Sequence, residues 1–174
     1  MPQRADSATN QAPPTPPGGN APDQGAADLA ETVLLVRLGE RRFAVPAEAV
    51  IRILPMAELL PLPDAPPGIA GMLAVQGLVL PAVDPRARLG LPPAAPLPDQ
   101  HLVLLAARTR FLLWIDRAET IVAVPAGVRT AVLDEGAGLL APQIARIGDD
   151  HIPVLAPAAL DPGRVSRPGA VVSR

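Results

Sequence analysis

The side chains able to do chemistry are few, and most stand at the ends of apolar runs. His151 follows Asp149 and Asp150, a set that would suit a metal ion. A solvated hairpin turn accounts for the same three residues and is the preferred reading. His101 follows Asp99-Gln100 at the start of an apolar run and reads as a rim histidine rather than a ligand. Asp84 and Asp116 each follow an apolar run, and Asp84, just before Pro85, has the form of a helix N-cap. Asp134-Glu135, ahead of Gly136, reads as a polar loop. Between residues 31 and 161 there is no Ser, Cys, Asn, Lys or Tyr. Ser and Cys nucleophiles, Schiff-base lysines and Lys-bearing phosphate loops are therefore excluded from that region. General acid–base work would fall to His101, His151 and the carboxylates, which is too thin a set for an enzyme. No catalytic residue, metal or cofactor is expected.

The wider composition narrows the partners. The 174 residues carry 15 basic and 17 acidic side chains, a net charge of -2, so no general attraction to nucleic acid or anionic lipid is expected. The only aromatics, Phe43, Phe111 and Trp114, suit a core better than a base-stacking platform. No uninterrupted apolar stretch is long enough to span a bilayer. Residues 1–30 lack the apolar run of a secretory signal, so the expected location is cytoplasmic.

These residues must be positioned by short elements, because 24 prolines spread through an apolar chain leave no room for long helices. Residues 1–30, with Pro13-Pro14-Thr15-Pro16-Pro17, read as a disordered tail with little to bury, and residues 162–174 as a second, flexible tail. Between them, 31–161 is strand-rich. Thr32–Leu38 and Arg42–Val45 flank a Gly39-Glu40 turn. Pro46 to Leu54 is expected to be a two-turn helix, with Val50, Ile53 and Leu54 on one face. A short helical piece should lead to Gly71. Met72–Val75 and Leu78–Val83 form a hairpin over Gln76-Gly77, and Asp84-Pro85 opens a short helix through Leu89. After a Pro-rich loop at 92–98, His101–Ala107 pairs with Arg110–Ile115 around Arg108-Thr109. Thr120–Val124, Ala145–Ile147 and Ile152–Leu155 supply further strands, the last two joined by Gly148–His151. The reading is all-β, as two small barrels with a few helical turns. Apolar surface and strand edges are the equipment of a protein-binding module.

The ordered set Phe43-Ala44-Val45-Pro46, Pro63-Asp64-Ala65-Pro66, Ile69-Ala70-Gly71, Gly77–Asp84, Leu89-Gly90-Leu91, Leu112–Asp116 and Ile152–Leu155 resembles the CheW family of chemotaxis adaptors, over nearly all of 31–161. The resemblance implies two five-stranded SH3-like barrels with a hydrophobic groove between them and no catalysis. The implied partners are the regulatory domain of a CheA-type histidine kinase and the tips of methyl-accepting chemoreceptors, at membrane-associated receptor arrays, without direct membrane insertion. Carried onto matching positions, Val50, Ile53, Gly71 and Gly77 belong to the partner-binding region. Plain core packing for the aliphatics and turn geometry for the glycines are the alternatives. Two positions depart from the family pattern: Arg52 stands where Glu is common, and Gln76 where Arg is customary. An acid–base pair between them, if the family uses one, cannot form here. Ala118 replaces a larger Val. The departures fit either an altered receptor–kinase specificity or a scaffold and localisation module for another signalling or surface-motility system.

Overall fold

The computed structural model describes residues 31–125, 129–131 and 140–164. The Pro-rich segment 1–30, the Asp134-Glu135 loop and residues 165–174 lie outside the described residues. The chain starts with β1 (Glu31–Leu38) and β2 (Arg41–Pro46), turned at Gly39. It then leaves for a second sheet built from β3 (Val50–Pro55), β4 (Ile69–Val75), β5 (Leu78–Val83), β6 (His101–Ala106) and β7 (Arg110–Ile115). It returns with β8 (Arg117–Val124), β9 (Arg129–Ala131), β10 (Gln143–Ile147) and β11 (Asp150–Val154), and α1 (Pro157–Leu160) follows. The strand orders are β8-β1-β2-β11-β10-β9 and β3-β6-β7-β5-β4. The two barrels are as expected, with three-residue β9 a sixth member of the first sheet. The second barrel is thus inserted into the sequence of the first.

Apolar runs in β1, β6 and β7 are continuous rather than alternating because these strands are covered on both faces. In β1, Val33 and Leu35 point into the first barrel beside Ala44, Val124, Ala145, Ile152 and Val154. Leu34, Val36 and Leu38 point the other way, into a core shared with Phe43, Val103, Leu105, Phe111, Leu113 and Ile115. Leu102, Leu104, Leu112 and Trp114 fill the second barrel with Leu80 and Ala82. Three apolar layers alternate with two sheets, and the middle layer joins the barrels. Phe43, Phe111 and Trp114 are all buried, as expected. Ala118, the small residue in β8, packs against the shared core.

The five-stranded sheet closes through the segment after β3. The Met56 N–H donates to the Gln100 carbonyl at 2.9 Å, and Leu60 and Met72 exchange backbone hydrogen bonds at 2.8 Å each. That segment therefore runs from β6 across to β4.

Three expected helical pieces differ. Only Ala47–Ala49 is helical, as a 3-10 turn, and residues 50–55 form a strand. Val50, Ile51 and Ile53 are β-branched, which favours strand over helix. Leu54 does not share a face with Val50: a bulge between Val50 and Arg52 sets Val50 opposite Leu105 and Ile53 opposite Val103, while Leu54 lies opposite Leu102. Strand β4 begins at Ile69, replacing the helical lead to Gly71. Of the short helix expected from Asp84-Pro85 through Leu89, only Ala87–Leu89 is helical, again 3-10.

The stretch after β11 straps the barrels together. Leu155, Ala159 and Leu160 enter the shared core. Buried Asp161 then accepts hydrogen bonds from the Thr109 N–H and hydroxyl, both at 2.7 Å, and from the Gly163 N–H at 2.9 Å. Burial pushes the Asp161 carboxyl up, but the bonds from Thr109, Gly163 and the Arg108 backbone outweigh it and hold its pKa below the ordinary aspartate value. A depressed carboxyl stabilises the fold above its unfolded pKa, and that contribution is lost as pH falls through the folded value. Chemical denaturation across pH 5 to 2 should therefore show stability falling with acid, with a shallower fall in Asp161→Asn.

Candidate partner-binding surface

The residues expected to bind partners fall on the outer strands of the second sheet. Val50, Arg52 and Ile53 lie on β3, whose one side pairs with β6. Val50 packs partly against the shared core, whereas Ile53 is 39% and Ile51 49% exposed. The bulge places Val50 and Ile53 on one face, as expected, though through a strand irregularity rather than a helical period. Arg52 is exposed and makes no ion pair among the described residues.

Gly71, Gln76 and Gly77 lie on the β4–β5 hairpin. Val75 pairs with Leu78, so Gln76-Gly77 is a two-residue turn, with φ of 51° and 82° as a type I′ turn requires. An added Cβ at Gly77 would meet nothing within 4 Å. Gly77→Ala should therefore cost only the left-handed penalty, about 1–2 kcal/mol, readable by urea denaturation. Gly71 is different. It is buried, and a Cβ there would sit 2.8 Å from the Leu60 carbonyl oxygen. It is a structural requirement of barrel closure. The structure thus puts Val50–Ile53 on one outer strand and Gly71–Gly77 on and beside the other, with no hydrogen bond between Arg52 and Gln76 among the described residues.

From Ile69 to Val83 the only polar side chain is Gln76. Leu73 and Leu80 face the barrel interior. The register puts Ala74 opposite Val79 and Met72 opposite Pro81 on the outer face. Val79 is 60% exposed, with Leu60 at 61% on the strand bridged to β4. An exposed apolar face of this kind is the mark of a binding surface. Separately, the 56–59 segment, Glu58 included, lines a groove of about 470 Å³ with Ala70, Pro96, Leu97, Pro98 and Trp114.

His101 and His151 lie on different sheets, on β6 and β11. Among the described residues no three His, Cys, Asp or Glu side chains gather as a metal site. No helix of the described residues is long and apolar enough to cross a membrane.

One polar cluster goes beyond the sequence reading. Arg86, 2% exposed, lies over the Trp114 ring at 5.0 Å and bonds Asp84 at 3.0 Å and Asp116 at 2.6 Å. Asp84 also accepts the Arg86 N–H at 3.0 Å, a local turn. The 3-10 turn that follows has Arg86 as its N-cap with no side-chain cap bond, so Asp84 serves the buried arginine rather than capping a helix. Asp116 further accepts from Gln100 at 2.7 Å and the Gly39 N–H at 2.6 Å. The available signal was the placement of two aspartates directly after apolar strands, where a carboxylate at the barrel rim needs a cation. On the first barrel, Glu119 accepts from Arg37 and Arg42 at 2.8 Å each. Partial burial raises its pKa, and the two arginines outweigh that and lower it.

Comparison with known proteins fits this geometry. A CheW-like domain model matches residues 32–160. Over 93 residues the chain is 31% identical to the chemotaxis protein CheW of Rhizobium meliloti (strain 1021) and 28% identical to the probable chemotaxis protein CheW of Rhizobium etli. Each match covers 53% of this chain and 60% of the relative, so the chain spans about three fifths of those relatives' length. The crystal structure of the scaffolding protein TtCheW from Thermoanaerobacter tengcongensis superposes with a TM-score of 0.68 at 15% identity, covering 73% of this chain and 89% of that one. That likeness shows the fold. With a family model matched across most of the chain and both barrels in place, the protein belongs to the CheW-like family.

Proposed function

We propose that the protein is a non-enzymatic chemotaxis adaptor that couples the tips of methyl-accepting chemoreceptors to the regulatory domain of a CheA-type histidine kinase. The observation that carries this reading is the exposed apolar surface of β4 and β5, uncharged from Ile69 to Val83, with exposed Ile51 and Ile53 on β3. The family resemblance implies partner contacts on these strands. The working unit is residues 31–161, positioned at membrane-associated receptor arrays. Holding two partners on one small body raises their effective concentration for each other. Affinity comes mainly from apolar burial, so moderate salt weakens it little.

Arg52, which makes no ion pair among the described residues, together with Gln76 favours a second reading, in which the same barrels dock a different signalling or surface-motility partner. A pull-down of purified protein against lysate of its own cell, with bound proteins identified, separates the two. Recovery of a CheA-type kinase and chemoreceptors by the native chain, and at least about tenfold less by Ile53→Asp, is the expected result, a charge on a buried apolar contact being costly. Recovery only after Arg52→Glu with Gln76→Arg would mean that the surface serves another partner. A salt-steep interaction would also count against the adaptor reading.

A further inference from the structure

We propose that Asp116 couples the two barrels, so that a disturbance at the β1–β2 turn of the first is felt at Trp114 in the second. The carboxylate is divided between them. Oδ2 accepts from the Gly39 N–H of the first barrel at 2.6 Å. Oδ1 accepts from Arg86 at 2.6 Å and Gln100 at 2.7 Å, both of the second. The Asp116 N–H in turn donates to the Arg37 carbonyl at 2.9 Å, fixing the backbone that carries the carboxylate to β1.

From Oδ1 the connection runs on to Trp114 by two routes. Gln100, 4% exposed, accepts on Oε1 from the Trp114 Nε1–H at 3.0 Å and from the Leu97 N–H at 2.9 Å. Its carbonyl accepts from Met56 at 2.9 Å. Two donors on Oε1 and a carboxylate opposite Nε2 allow the amide only one orientation. Arg86, the other donor to Oδ1, lies over the Trp114 ring. Leu97, Met56 and Trp114 all line the groove, so Gln100 is a positioning residue for its walls. Charge-assisted bonds in a partly buried chain polarise one another, and such a chain carries coupling through direct contact.

The test uses two amide signals in a 15N-labelled full chain: the Gly39 N–H and the indole N–H of the single tryptophan. Gln100→Leu removes the acceptor of the indole and one donor to Asp116. The expected result is that the Gly39 signal shifts as well, although Gly39 does not touch Gln100. Gln100→Glu keeps the indole acceptor and removes the donor, so Gly39 should shift more than the indole. In the reverse direction, Gly39→Val strains a turn held at φ 59° and should move the Trp114 indole signal, since coupling is reciprocal. Gly39 unchanged in folded Gln100 variants, or the indole unchanged in Gly39→Val, would overturn the proposal. The Gly39 arm leaves every second-barrel side chain in place, so a misfolded Gln100 variant does not end the test.

Discussion

Arg86→Ala will lower the free energy of unfolding by about 3–5 kcal/mol, the range for removing one partner of a buried ion pair. Its guanidinium is almost wholly enclosed and bonds Asp84 and Asp116, whose carboxylates are about a quarter exposed. Removal leaves two partly buried carboxylates without their shared cation, and strips a cation from the face of Trp114. Part of the loss is packing, because the long Arg stem fills space. Arg86→Met should therefore lose less than Ala. Combining Arg86→Met with Asp116→Asn should recover part of the charge penalty, giving a sum smaller than the two single losses. Urea denaturation followed by Trp114 emission measures each variant. Equal losses in Ala and Met, with additive doubles, would mean that the pair contributes little beyond volume.

Gly71→Ala comes next, at about 2–6 kcal/mol. The new Cβ would lie 2.8 Å from the Leu60 carbonyl oxygen and 2.9 Å from the Leu59 Cβ. The oxygen belongs to backbone already bonded to Met72, so it cannot retreat without opening the barrel closure. To this overpacking, about 1–3 kcal/mol, is added the strain of a side chain at φ 154°, of order 1–3 kcal/mol. A thermal melt should drop by roughly 4–24 °C. Gly77→Ala, with open space around it, should drop by roughly 2–8 °C. Loss of partner binding in a Gly71 variant would then report a lost fold, whereas loss in a folded Gly77 variant would report the surface itself.

Much of this architecture was legible because β1, β6 and β7 carry apolar runs of four residues or more and the turns at Gly39, Gly77 and Gly148 carry positive φ. The stretch 50–54 misled for a physical reason. A bulge adds one residue, and a period of two plus one gives Val50 and Ile53 the same spacing as a helical face. Of the residues expected to bind partners, Ile53, Gln76 and Gly77 are exposed and Val50 is half-buried. Gly71 was named for binding but is fixed by the approach of Leu59-Leu60, a contact between segments that no local pattern announces. Arg86 was invisible for the same reason: an arginine in a Pro-Arg-Ala-Arg stretch looks solvated until Asp116, thirty residues on, is brought beside it.

The nesting of one barrel inside the chain of the other has a consequence for biosynthesis. Strands β1 and β2 leave the ribosome first, yet their partners β8 and β11 are made only after the whole of β3–β7. The inserted barrel has all its pairings within 50–115 and can assemble while translation continues, as early-completed units do. Until β8 emerges, Val33 to Val36 must stay out of contact with other nascent chains. The closed second barrel offers Val103, Leu105, Phe111 and Leu113 as a template on which Leu34, Val36 and Phe43 can wait.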